Sequence, residues 1–377
     1  MDWIPHASAL AEHATRPGSP WRTPITDTPR HTFVPRWWKA TGNGAWTLQD
    51  GPGDAEAWMA AAYSDRSLVT QVGTSHADHA RPQDHPTGKP TSSSTLPTLV
   101  VQMLEHAAIE DTSTVLDVGT GSGYGTALLC ARLGAARVTS IDVDAYLVKA
   151  AGERLAELGH QPSMVTGDAT GSLPGPVDRI VAMVSVRPVP TSWLAALPAG
   201  GRLATTITNT SIILTATKTE DGGAIGRIER DWAMFMPTRA DADYPPRDRA
   251  LLKRARIEDG EDVGPGRFPV LDVIESWEVR SMLELAAPGI EHHHETDGDT
   301  RTALMLHTDG SWARAEQTGQ APPVVHQGGP RRLWDLLDEV RDHWLRHGRL
   351  PLYGALARVT PDGTIHLRRG TWNAVIG

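Results

Sequence analysis

Asp117, Gly119, Gly121 and Gly123 stand at alternate positions in "VLDVGTGSGYG", the run from Val115 to Gly125. An apolar strand that ends in a carboxylate and then turns on glycines lets a guest lie against bare backbone, because glycine adopts turn conformations closed to other residues and has no Cβ. Two guests use such turns, a dinucleotide pyrophosphate and a sulfonium nucleoside. The pyrophosphate fingerprint is G-x-G-x-x-G, with its third glycine three residues after the second. Here the residues three after Gly121 and Gly123 are Tyr124 and Thr126, so that pattern fails in both frames. An acid at position 117 also repels a pyrophosphate and attracts a cationic amino acid.

Two further acids follow in order. Asp142, in "VTSIDVD", closes the next expected strand and is placed for a ribose diol, whose two hydroxyl donors match the two oxygens of one carboxylate. Asp168, in "TGDAT", follows the third expected strand and is placed to accept from an adenine amino group. A lone Asp at such a place is usually a helix cap or a solvated loop residue. Three in succession at the carboxyl ends of parallel strands describe the ligand-binding edge of an open α/β sheet.

The elements needed to hold these acids are legible around them. From about 96 to 217 strands alternate with helices: "LPTLVVQMLEHAA" as a helix, "TVLDV" as a strand, "YGTALLCARLG" as a helix, "RVTSIDV" as a strand, then "AYLVKAAGERLAEL" with Leu147, Val148, Ala151, Leu155 and Leu158 on one face. "SMVTG", "DRIVAMV" and "GRLATTIT" supply further strands. This alternation predicts an α/β fold with a mostly parallel sheet covered by helices. Residues 1–90, rich in Pro, Gly and Trp, read as an irregular N-terminal subdomain with a long polar loop; 91–238 is the nucleoside-binding core; 239–377 reads as a small α+β extension. In that last part "DADYPPRDRALLKRARIEDGEDVGPGR" reads as a linker, and hairpins are expected at "LMLHTDGSWAR" and "ARVTPDGTIHLRR". The helix "RRLWDLLDEVRDHWLRH" has Leu333, Leu337, Val340 and Trp344 on one face.

Composition narrows the function classes. Against 45 Asp and Glu stand 36 Lys and Arg, and the net charge of −9 disfavours nucleic acid as a partner. The single cysteine, Cys130, excludes an intrachain disulfide. The N-terminus lacks the basic start and apolar core of a signal peptide, and no apolar run is long enough to span a membrane, so a soluble cytoplasmic protein is expected. "EHHHETDGD" invites a metal, but adjacent histidines point different ways and no second pair has zinc spacing; a solvated loop without metal is expected.

The D-x-G-x-G-x-G pattern resembles motif I of the S-adenosylmethionine-dependent methyltransferases. From about Arg30 to Thr238 the chain resembles the protein-L-isoaspartate O-methyltransferase family, through "PRHTFVP", "AYSDRSLVTQVG", "SSSTLPTLVVQML", "VLDVGTGSGYGTALL", "GDATG", "VDRIVAMVSVRPVPTSWLAALPAGGRL" and "WAMFMPT" in that order. The resemblance implies a Rossmann-like methyltransferase fold and S-adenosylmethionine as methyl donor, with S-adenosylhomocysteine as product. It implies a donor site that also takes in Ser92, Ser93, Thr120, Ser122, Val143 and Ala169, and a peptide or protein acceptor bearing Asp or isoaspartate. The family sets a serine two residues before the helix-starting proline. Anchored on Pro97, that place is held by Thr95, with Ser94 beside it as a substitute. Thr keeps the hydroxyl but adds a methyl and stiffens χ1, which bears on acceptor choice. The bland alternative is that "TSSST" caps the helix.

Transfer to a carboxylate is an in-line displacement by a group already ionised near neutral pH, so no strong general base is expected. Thr95 is the expected orienting donor. Actinobacterial relatives with so long a C-terminal extension look like those encoded beside ribosomally made peptides such as lanthipeptides and graspetides. The leading expectation is therefore esterification of an Asp in a dedicated modified peptide, leading to an aspartimide, ahead of general isoaspartate repair. A peptide-binding scaffold without activity is disfavoured by the retained acids and glycines. Oligomeric state is not legible.

Overall fold

The computed structural model describes residues 2–42, 44–239 and 249–377. The strand–helix alternation yields the expected sheet. Strands β1 (Val115–Val118), β2 (Val138–Asp142), β3 (Ser163–Thr166), β4 (Arg179–Val186) and β5 (Arg202–Ile207) lie parallel in the spatial order 3-2-1-4-5. β1 is buried along its whole length and β4 over most of it, as strands covered on both faces must be.

Beyond β5 the sheet does not stop. β6 (Ile212–Lys218) and β7 (Ala224–Trp232) continue it antiparallel, and β8 (Leu356–Val359), β9 (Ile365–Arg369) and β10 (Trp372–Ile376) return from the far end of the chain to complete ten strands. Gly226 makes the β6–β7 pairing possible: a Cβ there would lie 1.8 Å from the Thr215 carbonyl oxygen. The extension thus shares hydrogen bonds with the core. A second, five-stranded antiparallel sheet is formed by residues 262–328. Helices Trp277–Ala286 and Leu333–His347 lie between the two sheets in one apolar cluster, which joins Leu214, Ile228 and Leu367 to Leu283, Leu333, Trp334 and Leu337 and to Met305 and Ala315.

Several expectations are corrected. The N-terminal region is not irregular: helices Ile4–Ala14 and Arg22–Asp27 pack on the core helices, and five short strands form a sheet. The hydroxyl-rich "TSSS" belongs to strand Pro90–Ser94, paired with Leu68–Val72. Strands this short, lined by Ser and Thr, carry too little alternation to be seen in sequence. Within the expected linker, Arg249–Ile257 is a helix whose Leu251 and Ala255 pack on Leu304, Leu306 and Trp312 of the second sheet; residues 240–248 of that stretch lie outside the described residues. The triple histidine is a strand, Glu291–Asp297, rather than a loop, and burial pushes the His292 imidazole down to about 3. Among the described residues no His, Cys, Asp or Glu cluster could hold a metal. Trp344, placed on one face with Leu333, Leu337 and Val340, is 43% exposed while those three are buried. No described helix is long and apolar enough to cross a membrane.

The shared cluster carries a consequence. A fragment ending at Arg239 strips the helices and strands that cover Leu214 and Ile228, exposing those side chains and leaving β7 as an unpaired edge. It is expected to aggregate or to melt without cooperativity in calorimetry. A soluble fragment with a sharp transition would show that the extension is separable.

Candidate functional site

The strand-to-helix turn after β1 is built on backbone that only glycine takes easily. Gly119, Gly121 and Gly123 have φ of +91°, +51° and +91°. A Cβ at Gly119 would lie 2.9 Å from Val184 Cγ1, one at Gly121 3.2 Å from the Ser93 carbonyl oxygen, and one at Gly123 2.8 Å from Ala151 Cβ. The turn therefore touches β4, the serine strand and the helix Ala145–Glu157 at once.

Asp142, at the carboxyl end of β2, is fixed by its own neighbours. Gly121 N–H donates to Oδ2 at 3.0 Å and Asp144 N–H to Oδ1 at 3.1 Å. Each oxygen keeps a second lone pair for a guest. Burial raises this carboxyl, opposed by the two amides and by Arg239. Asp144, capping the next helix, gathers Gln71 at 3.2 Å, His76 at 3.4 Å and Arg239 at 3.8 Å. Asp168 is exposed and binds Thr170 through its N–H at 2.8 Å and its hydroxyl at 2.7 Å.

A cleft of about 540 Å³ opens over this edge of the sheet. At one end it is lined by Gly119, Gly121, Asp142, Val143, Asp168 and Ala169; Ser92, Ser93 and Thr95 form its floor. At the other stand Ser67, Val69, Leu96, Thr98, Leu99, Gln102, Trp232, Met234 and Trp277. Segment 233–239 closes the side, pinned by the Ser185 N–H to the Met236 carbonyl at 2.9 Å and the Thr238 N–H to the Ser185 carbonyl at 2.9 Å. Charged side chains in the lining, among the described residues, are Asp142, Asp168 and Arg239, all near the first end.

Five expected site residues, Asp117, Thr120, Ser122, Gly123 and Ser94, sit apart from this cleft. Asp117 is buried behind the glycine turn, where Thr126 and Ser140 hydroxyls donate to Oδ2 at 2.6 and 3.0 Å. It lines a separate cavity of about 30 Å³ with Thr120, Ser122, Tyr124 and Thr95. Burial pushes its carboxyl up to about 6 against those two hydroxyl bonds. Gly123 acts in packing, with its N–H on the Thr120 carbonyl at 2.9 Å. Ser94, buried opposite Leu68, lines neither cavity. Ser92 accepts from the Thr70 hydroxyl at 3.0 Å.

The hydroxyl strand does not cap the following helix. Helix Pro97–His106 has no side-chain cap from Leu96; Asp65 accepts from Thr98 N–H at 2.9 Å and Ser67 from Leu96 N–H at 3.1 Å. Thr95 is thereby left at the junction of strand and helix, lining both cavities. Its carbonyl is held by a group the sequence did not single out. Arg30, wholly buried, donates to five carbonyls: Ala62 at 2.7 Å, Ser64 and Arg66 at 2.9 Å, Thr95 at 3.1 Å and Ser94 at 3.3 Å. Burial lowers its pKa to about 10, so it stays charged. "PRHTFVP" contains Arg30, but nothing in that string tells a buried clamp from a surface arginine.

The family model described as Protein-L-isoaspartate(D-aspartate) O-methyltransferase matches residues 59–241. A protein-L-isoaspartate O-methyltransferase of Koribacter versatilis is 33% identical over 174 residues, which cover 45% of this chain and 75% of that protein. The chain belongs to the protein-L-isoaspartate(D-aspartate) O-methyltransferase family. One from Christiangramia forsetii is 38% identical over 110 residues, 28% of this chain and 51% of the relative, so the chain spans about half of that protein. A solved structure titled protein-L-isoaspartate O-methyltransferase superposes with a TM-score of 0.52 at 16% identity, over 99% of this chain and 98% of that one. That likeness shows the fold, here including the region after the family match.

The buried acid makes a pH prediction for this family member. Folding raises Asp117 from 3.8 to about 6, so between those values the folded protein keeps a proton that the unfolded chain gives up. The stability from this group is complete below about pH 4 and is lost as pH rises through about 6. Asp117→Asn removes the titration: from pH 4 to pH 7.5 its unfolding free energy should shift by about 2 kcal/mol in favour of Asn relative to the parent. Parallel pH profiles in denaturant titrations would contradict this assignment.

Proposed function

We propose that this protein transfers a methyl group from S-adenosylmethionine to the side-chain carboxylate of isoaspartate in peptides and proteins. The observation that carries this reading is the division of the cleft into a charged end built on the glycine turn and a neutral end furnished with hydroxyl and amide donors.

The charged end fits the methyl donor. Gly119 and Gly121 present bare backbone to it, Asp142 keeps lone pairs for a diol, and Val143, Asp168 and Ala169 sit at the adjoining strand ends. Asp117, from its own small cavity behind the turn, sets the turn's position and supplies negative potential toward an ammonium group. When bound, S-adenosylmethionine supplies a methyl carbon on a sulfonium leaving group. The chain's residues do the rest. Thr95, held in place through its carbonyl by Arg30, is the orienting hydroxyl, with Ser67, Thr98 and Gln102 as neutral donors around it. Neutral donors hold a carboxylate without the strong ground-state stabilisation that a buried arginine would impose. No base is required, because the acceptor is ionised near pH 7. Collinearity and exclusion of water then account for the rate. The resulting ester is open to the next residue's backbone nitrogen, which expels methanol and closes a succinimide without help from the protein.

The family match and the relatives' names favour isoaspartate in general over a dedicated peptide. One observation keeps the second reading: the extension contributes Trp277 to the neutral end, so acceptor choice involves a part of the chain outside the family match.

Methyl incorporation into an isoaspartyl peptide and into a ring-constrained Asp peptide, followed by mass, separates the readings. Chief transfer to isoaspartate supports repair, and transfer with methanol loss confined to the constrained peptide supports the dedicated substrate. Thr95→Val should lower kcat by about 10- to 100-fold with the donor's KM little changed. Asp142→Ala should weaken S-adenosylhomocysteine binding by about 10- to 100-fold in calorimetry, the loss of hydrogen bonds to a charged group. A parent protein that binds the donor but esterifies neither peptide sinks the reaction.

A further inference from the structure

The outermost part of the neutral end is a pair of indoles from distant parts of the chain. Trp232 ends β7 and is 54% exposed; Trp277 opens helix Trp277–Ala286 in the extension. Their ring centroids are 4.0 Å apart at an interplanar angle of 85°, an edge-to-face pair. Both ends are anchored close by. Next to Trp232, Asp231 contacts His106 at 3.1 Å. One turn after Trp277, the Ser281 hydroxyl accepts from Ser211 N–H at 2.9 Å and donates to the Trp277 carbonyl at 2.7 Å. The rings are thus a fixed surface continuous with Leu99, Ala233 and Met234 in the cleft wall.

We propose that Trp232 and Trp277 form a subsite for an apolar side chain flanking the acceptor residue in the substrate. This rests on the assignment of the neutral end to the acceptor. An apolar neighbour seated there removes its own surface and that of the exposed indole from water. A charged neighbour loses hydration against indole faces; among the described residues the charged side chains of the cleft lining, Asp142, Asp168 and Arg239, all stand near the donor end, with Arg239 engaged by Asp144. The extension therefore sets acceptor preference through one side chain, while the transfer machinery stays in the core.

The test uses the full chain saturated with S-adenosylhomocysteine and a set of peptides identical but for the residue beside an isoaspartate: Phe, Leu, Ala, Glu or Lys. Binding is titrated, and methyl incorporation into the same peptides is measured separately with the donor. Phe and Leu peptides should bind about tenfold or more tightly than Glu and Lys peptides, Trp277→Ala should reduce that spread to about twofold, and Trp277→Phe should keep most of it. Trp232→Ala removes the exposed ring from the opposite side and should give the same loss, so misfolding of one variant does not decide the matter. Melting temperature and S-adenosylhomocysteine affinity report that each variant is folded. Equal binding of all flanking residues by the parent, or a spread that survives both alanine variants, overturns the subsite. Discrimination in binding without methyl transfer to any peptide supports the subsite and refutes the proposed reaction.

Discussion

The site depends on how closely backbone can approach backbone at the turn after β1. With a Cβ at Gly121 the serine strand would have to retreat from 3.2 Å, and with one at Gly119 or Gly123 so would β4 or the helix after β2. All three residues also sit at positive φ, where other residues are strained. One short turn thus fixes the spacing between the edge that carries Asp142 and the strand that leads to Thr95. The two halves of the cleft are set by a single steric condition.

Charge is distributed to match. Arg30 is buried with no carboxylate among its hydrogen-bond acceptors and donates through both terminal nitrogens to five carbonyls, which costs it hydration but ties residues 62–66 to the Ser94–Thr95 backbone. Its charge is answered by those carbonyl dipoles and by the nearby Asp65 carboxylate. Asp117 is treated similarly: two hydroxyls answer it, desolvation dominates, and its proton is held to about pH 6. Asp142, whose first ligands are backbone amides, faces the cleft with capacity to spare. The acids that look alike in sequence therefore have different work.

The extension is bonded into the same architecture. β8 pairs with β7, and the helices of the extension share one apolar cluster with β6 and β7. Its position brings Trp277 into the cleft lining, so a segment outside the family match contributes to the cleft wall. The glycine turn and Trp277 thus line one cleft from opposite stretches of the chain.

The parallel sheet, the glycine turn, the order of Asp117, Asp142 and Asp168, and both C-terminal hairpins were legible from residue types alone, because period and turn chemistry are local properties. The serine strand, the helix at Arg249–Ile257 and the half-buried strand position of His292 were not, since their conformation follows from contacts with other segments: Leu68–Val72, Leu304–Trp312 and Met305. Tertiary structure alone decided that Asp117 turns inward while Asp142 turns out, that Asp65 rather than the hydroxyl run caps the helix after Thr95, and that Arg30 and Trp277 belong to the site. Burial, long-range hydrogen bonds and the meeting of side chains from opposite ends of a chain have no period, and a linear pattern cannot record them.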